Sequence, residues 1–177
     1  VVQPCDASLV TLGGYLFNQA IPVFFLDAGR PDASELQNVL ASAKRCLVLA
    51  SEEQLPDSEL TRFNDALRIT RFTSDNAFET NRVCNEWLAS EVPAVQQGKL
   101  CIITSPQSTI DNYGIGQLAG RLNSEVRFTD PLSLDSVAST LDELRANGYL
   151  DELLFIGNDL RFSAIDKLMF ESALRRK

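Results

Sequence analysis

The stretch Pro22–Leu40, PVFFLDAGRPDASELQNVL, joins the two patterns that decide the fold class. It opens with a short apolar run that ends on Asp27, as expected for a strand buried on both faces. A turn-forming segment with Gly29 and Pro31 follows. Apolar residues then recur with the spacing of one helical face, at Leu36, Val39, Leu40 and Ala43. The stretch therefore predicts a strand followed by a helix.

The same alternation recurs along the rest of the chain. Six apolar runs share this strand-like character: PVFFLD (22–27), RCLVLAS (45–51), LRITRFTS (67–74), KLCIITS (99–105), EVRFTD (125–130) and ELLFIGND (152–159). The segments between them have helical spacing of apolar residues. Strand and helix in alternation predict a three-layer, doubly wound α/β fold, Rossmann-like or flavodoxin-like, with a mostly parallel sheet of about six strands.

The length of 177 residues fits a single domain with a substantial core. We expect residues 21–177 to form one α/β domain, and residues 1–20 to be an N-terminal extension or an edge element. Within them, SLVTLGGYLFNQ fits an edge strand, a short helix or a hairpin, and a turn at Gly13-Gly14 is favoured. The chain begins VVQPCDAS, without a methionine. We therefore expect it to be a domain excised from a longer protein.

Composition excludes several classes of function. The formal net charge is −8, with 16 Lys and Arg against 24 Asp and Glu, and the only basic cluster is Arg175, Arg176 and Lys177 at the very end. This pattern argues against nucleic-acid binding, which needs clustered cations. No apolar run reaches the roughly 18 residues that membrane insertion needs. Histidine is absent, which removes Ser-His and Cys-His activation of a nucleophile. The four cysteines are widely spaced, which favours core thiols in a reduced, cytoplasmic setting.

Polar side chains follow most of the predicted strands, at the edge where open α/β sheets bind ligands. The best catalytic candidates are Asp27, Ser105 and Asp159. A hard cation such as Mg²⁺ is bound by carboxylates, and the candidate metal ligands are Asp27, Asp75, Asp130 and Asp159. The alternative is structural, because Asp and Ser also begin turns and cap helices directly after strands.

The glycines do not form a phosphate-binding loop. The segment NYGIGQLAGRL (112–122) has Gly114, Gly116 and Gly120, but its spacing differs from that of a dinucleotide fingerprint. Close helix packing or a late helix start is the better interpretation of these glycines. The acid-based motifs are incomplete as well, since Gly29 stands where an acid pair beginning at Asp27 would place its second carboxylate.

Two functions remain open. The first is a non-enzymatic α/β module of a larger protein, acting through other domains, protein partners or a regulatory ligand. Arg62, Arg71, Arg82 and Arg121, which we expect on exposed helix faces, would supply contacts. The alternative is a Mg²⁺-dependent phosphoryl or phosphodiester hydrolase that uses the acidic sheet edge. The sequence does not decide between them, and it identifies neither a cofactor nor a partner.

Overall fold

A computed structural model describes residues 7–25, 34–74, 76–91, 98–107, 112, 114–146, 150–157 and 161–175. These residues form seven helices and five strands. In chain order they are α1 (Ala7–Asn18), α2 (Ser34–Ser42), β1 (Arg45–Val48), α3 (Asp57–Thr61), β2 (Arg68–Arg71), α4 (Ala77–Glu91), β3 (Leu100–Thr104), α5 (Ile115–Leu122), β4 (Glu125–Phe128), α6 (Leu134–Ala146), β5 (Glu152–Phe155) and α7 (Ala164–Leu174).

The five strands form two parallel sheets rather than one sheet of six. β1 pairs with β2, and β3 lies between β4 and β5 in the order β4-β3-β5. Ile102 in the central strand is opposite Val126 on one side and Leu154 on the other. The mixed α/β class and the parallel pairing predicted from the alternating pattern are confirmed. The single six-stranded sheet is not observed among the described residues.

The apolar run at the start of PVFFLD is not a strand. Residues 21–25 have no regular secondary structure, and Val23 and Phe25 are 40% and 60% exposed. Pro22 lacks the N–H that an interior ladder position uses. β1 and β2 also pair directly with each other, so no place in their ladder is left between them.

Helices α1 and α4 lie between the two sheets. On one side, Leu12 and Leu16 of α1 and Cys84 and Leu88 of α4 pack in one cluster with Phe72, at the end of β2. On the other side, the same two helices pack against the β4-β3-β5 sheet in a second cluster, with Ala7, Val10, Phe78, Ile102 and Val126 among its members. The outer faces are covered by α2 and α3 on the first sheet and by α6 and α7 on the second. Helices therefore cover both faces of each sheet, as is usual for parallel sheets.

The crossing of α1 and α5 is unusually close. A Cβ atom built at Gly13 would lie 2.6 Å from the Cα atom of Gly116, and one at Gly116 would lie 2.9 Å from that of Gly13. Any side chain at either position would push the helices apart. The expectation of close helix packing at the glycines of 112–122 is thus confirmed for Gly116. The predicted turn at Gly13-Gly14 is wrong, since both residues lie within α1.

The outer edge of β4 is closed by a side chain of α4. The Asn81 amide donates to the Val126 carbonyl (2.9 Å), and its Oδ1 accepts from the Phe128 N–H (3.0 Å). Asn85 donates to the same carbonyl (3.0 Å), and the Asn81 amide also donates to Thr11 Oγ1 (2.7 Å). Asn81 therefore satisfies both a donor and an acceptor of the edge strand, as a neighbouring strand would.

Candidate functional site

Ser105 begins a polar network at the carboxyl end of β3. Its Oγ donates to Gln107 Oε1 (3.1 Å), and its carbonyl accepts from the Asn112 amide (3.1 Å). Asn112 in turn accepts from Thr104 Oγ1 (3.0 Å). Ser105 is fully buried. Its hydroxyl therefore fixes the loop after β3 and is not presented to a substrate in this arrangement.

Arg161 brings a positive charge to this network. Its Nη1 donates to Gln107 Oε1 (3.0 Å), so Gln107 accepts from Arg161 and from Ser105. The network consists of amides, hydroxyls and one guanidinium, which bind and orient polar groups. A general base would need a titratable acceptor, and neither an amide nor a hydroxyl supplies one at neutral pH.

Asp130 shapes the turn before α6. Its Oδ1 accepts from the Leu132 N–H (3.0 Å), and its own N–H donates to Ser136 Oγ (2.8 Å). Ser133 supplies the next hydroxyl acceptor, for the Ser136 N–H (3.3 Å). These are the local side-chain bonds that Asp and Ser commonly make at a helix entrance. They support the structural interpretation of Asp130.

The remaining acidic candidates, Asp27, Asp75 and Asp159, lie outside the described residues. Within the part of the chain that the structure describes, no group of three or more His, Cys, Asp or Glu could hold a metal ion. β2, which Asp75 follows at four residues' distance, and β4, which Asp130 follows, belong to different sheets. The magnesium site at a common sheet edge thus stays a prediction.

Arg71 differs from its predicted place on a helix face. It ends β2, and its side chain is only 18% exposed. The guanidinium donates to the Ala50 carbonyl, to the Leu55 carbonyl (2.8 Å), to Glu52 Oε2 (2.9 Å) and to Asp57. It clamps the loop between β1 and α3. The sequence already predicts a strand over 67–74, which contains Arg71. A place for Arg71 on a helix face is inconsistent with that strand.

A buried ion cluster lies on the other sheet. Arg127 donates to Glu125 Oε1 (3.1 Å) and to Glu143, with the Arg127 and Glu125 side chains 12% and 9% exposed. Burial is the largest influence on the pKa of Arg127 and works to lower it, but Glu125, Cys101 and Glu143 together outweigh burial and the pKa is raised. Beside them, burial raises the pKa of the Cys101 thiol well above its usual range. Arg127 therefore stays charged and the Cys101 thiol stays neutral near pH 7, which suits a structural role.

An open concavity beside α1 is lined mainly by apolar residues. A groove of about 400 Å³ runs between α1, α5 and the segment that follows α1. Phe17, Ile21, Val23 and Phe25 line it, and Gly13 and Gly116 lie in it where the helices cross. Gln117 and Asn112 add two amides. The sequence does not predict this groove, because the apolar run 22–27 is typical of a buried strand and places Val23 and Phe25 inside it.

Comparison with known proteins gives a fold relationship only. No family model matches the chain, and no curated protein matches it. A solved structure, Cwp8 from Clostridium difficile, is similar with a TM-score of 0.67 at 11% sequence identity. The similarity covers 96% of this chain and 28% of that chain. The chain thus spans under a third of the protein it resembles. Separately, no helix in the described residues is long and apolar enough to cross a membrane.

Proposed function

We propose that this chain is a non-enzymatic α/β module of a larger protein, acting through contact with a protein surface or a regulatory ligand at the groove beside α1. The carrying observation is the exposure of Phe17, Val23 and Phe25 around one concavity. Contiguous exposed apolar surface on a folded domain is typical of an interaction site. As a working context we propose a reducing, cytoplasmic setting, which rests on the cysteine pattern alone.

The polar residues nearest the expected catalytic edge support this role. Ser105, Asp130 and Gln107 each make local hydrogen bonds that hold loops in place. The polar groups of these side chains are therefore used in hydrogen bonds within the protein. The Mg²⁺-dependent hydrolase stays a prediction from the sequence, since its candidates Asp27, Asp75 and Asp159 lie outside the described residues.

Two measurements on the purified chain test the proposal. The first is titration with a fluorescent apolar dye, for which we expect saturable binding that Phe25→Glu abolishes. The matched control is Leu132→Glu, because Leu132 is 80% exposed and does not line the groove. It should bind the dye like the unmodified chain. Equal binding by all three proteins would contradict a role for the groove.

The second measurement is hydrolysis of p-nitrophenyl phosphate and bis(p-nitrophenyl) phosphate with Mg²⁺ or Mn²⁺. We expect no turnover above the rate given by the metal ion without protein. Metal-dependent turnover that Asp27→Asn abolishes would replace the module with the hydrolase. Asp130→Asn serves as a second probe, because Asn can still accept the Leu132 N–H bond that shapes its turn.

A further inference from the structure

The groove beside α1 is formed by elements that carry almost no charge. The described residues of α1, of the segment that follows it and of α5, together with Asn112, contain one side chain that is charged at neutral pH, that of Arg121. The formal net charge of the whole chain is −8. The local charge of these elements is therefore opposite in sign to that of the protein. A ligand in the groove would meet apolar walls and this one cation.

Arg121 lies on the face of α5 that borders the groove. It follows Gln117 by four residues, and positions i and i+4 are neighbours on a helix surface. Gln117 itself lines the groove. The residue before Arg121 is Gly120, which lies against Phe17, since a Cβ atom built at Gly120 would be 2.9 Å from the Phe17 ring. Arg121 is therefore placed beside the end of the groove that Phe17 walls.

Gln117 and Arg121 have hydrogen-bond donors that the fold does not use. Both residues are exposed, and within the part of the chain that the structure describes neither side chain makes a hydrogen bond or an ion pair. Arg71 and Arg127, in contrast, each bind two acidic side chains. The planar guanidinium matches the geometry of a carboxylate, and the amide N–H of Gln117 adds a further donor. The pair is therefore suited to an anionic head group.

We infer that the groove binds a free fatty acid, with its alkyl chain along the apolar walls and its carboxylate against Arg121 and Gln117. The inference rests on the proposed function, since it names the chemical class of the regulatory ligand. The volume of about 400 Å³ lies in the range of small-ligand sites, which combine mainly apolar walls with a few polar groups that orient the ligand. From Leu9 to Phe17 the lining follows α1 for about 12 Å, which favours an alkyl chain over a short acid.

Equilibrium dialysis of the purified chain against radiolabelled ligands tests the inference at neutral pH. The ligands decanoate, 1-decanol and decyltrimethylammonium share the length of their alkyl chain and differ in the charge of the head group. Decanoate should bind most tightly, the alcohol more weakly and the ammonium ion most weakly. Octanoate should bind about four- to sixteenfold more weakly than decanoate, because each methylene buried in an apolar site contributes about two- to fourfold.

Arg121→Gln separates recognition of the carboxylate from burial of the alkyl chain. Decanoate should bind about three- to tenfold more weakly to this variant, the loss expected for an exposed charged contact, and 1-decanol should bind as before. The matched control is Arg145→Gln. Arg121 and Arg145 each lie in the last turn of a helix, where positive charge is favourable, but α6, which carries Arg145, does not line the groove. Arg145→Gln should bind decanoate like the unmodified chain.

Several outcomes would overturn the inference. Decyltrimethylammonium that binds as tightly as decanoate would show that the groove does not recognise negative charge. Equal losses of decanoate binding in Arg121→Gln and Arg145→Gln would indicate an effect of net charge alone. Dye binding that Phe25→Glu abolishes, without binding of either fatty acid, would retain the proposed function and leave the groove to a protein partner. Equal dye binding by Phe25→Glu and the unmodified chain would contradict the proposed function itself.

Discussion

Replacing Asn81 should destabilise the protein through the edge of β4. Asn81 is 4% exposed and holds three hydrogen bonds, to Val126, Phe128 and Thr11. In Asn81→Ala the Phe128 N–H loses its partner inside the protein. Val126 keeps a donor from Asn85, and Thr11 still donates to the Ala7 carbonyl. One backbone group is thus left buried and unpaired.

The expected cost follows from that count. An unpaired buried donor costs about 1–3 kcal/mol. The small cavity left by the truncation adds to this cost, and the better helix propensity of Ala returns about 0.5 kcal/mol. We expect the free energy of unfolding to fall by about 2 kcal/mol, within the range for a buried polar partner. Asn85→Ala should cost only about 0.5–1 kcal/mol, because Asn81 still serves the Val126 carbonyl.

Urea denaturation followed by Trp87 fluorescence measures these costs, and the double variant gives the decisive number. With both amides gone the Val126 carbonyl is also unpaired, so the double variant should lose about 1 kcal/mol more than the sum of the single variants. Asn81→Asp should be less destabilised at pH 4 than at pH 7, because its buried carboxylate would face the Val126 carbonyl when ionised. An additive double variant, or a loss below about 0.5 kcal/mol for Asn81→Ala, would refute this account.

Three further changes test other parts of the structure. In thermal melts, Gly116→Ala should lower the free energy of unfolding by about 1–3 kcal/mol, because the added Cβ would meet Gly13. Gly114→Ala is the control and should be neutral, because the space around Gly114 is open. Arg71→Met should lower the free energy of unfolding, measured by urea denaturation, by about 1–3 kcal/mol, because the Ala50 and Leu55 carbonyls lose their guanidinium donor. A decrease no larger than that expected for an exposed ion pair would contradict the role of Arg71 in holding this loop. The ordinary pKa of a thiol is 9.0, and burial raises the pKa of Cys101 in the folded protein well above that value. Above pH 9 the Cys101 thiol therefore loses its proton in the unfolded chain but keeps it in the folded protein. Stability should therefore fall as pH rises, by up to about 1.4 kcal/mol per pH unit, and Cys101→Ala should show a shallower fall; equal slopes would contradict a raised pKa.

Local pattern identified most of the strands. The five runs that begin at RCLV, LRITR, KLCII, EVRF and ELLF each contain an observed strand. PVFF has a similar composition but does not pair with either described sheet. Whether a strand pairs with another strand depends on the tertiary structure. A run of four apolar residues carries no information about which strand it would pair with.

The candidate site was less accessible to sequence reasoning. Asn81 and Asn85 look like solvent-facing residues in a helical pattern, yet both lie against an edge strand 40 or more residues away in the chain. Gly13 and Gly14 lower the propensity of α1 for helix, and packing against distant elements, α5 among them, offsets that cost. The spacing of polar and small residues along the sequence does not indicate which distant residues they contact.

The position of α1 between the two sheets also bears on synthesis at the ribosome. Gly13 emerges first, and its contact at Gly116 is made about a hundred residues later. At 5–20 residues per second, that interval is roughly 5–20 s. During this time α1 is outside the exit tunnel with its glycine face uncovered, because α5, which packs on that face, has not yet been made, and an uncovered helix face is open to non-native contacts. Slowing translation ahead of α5 should therefore lower the yield of native protein.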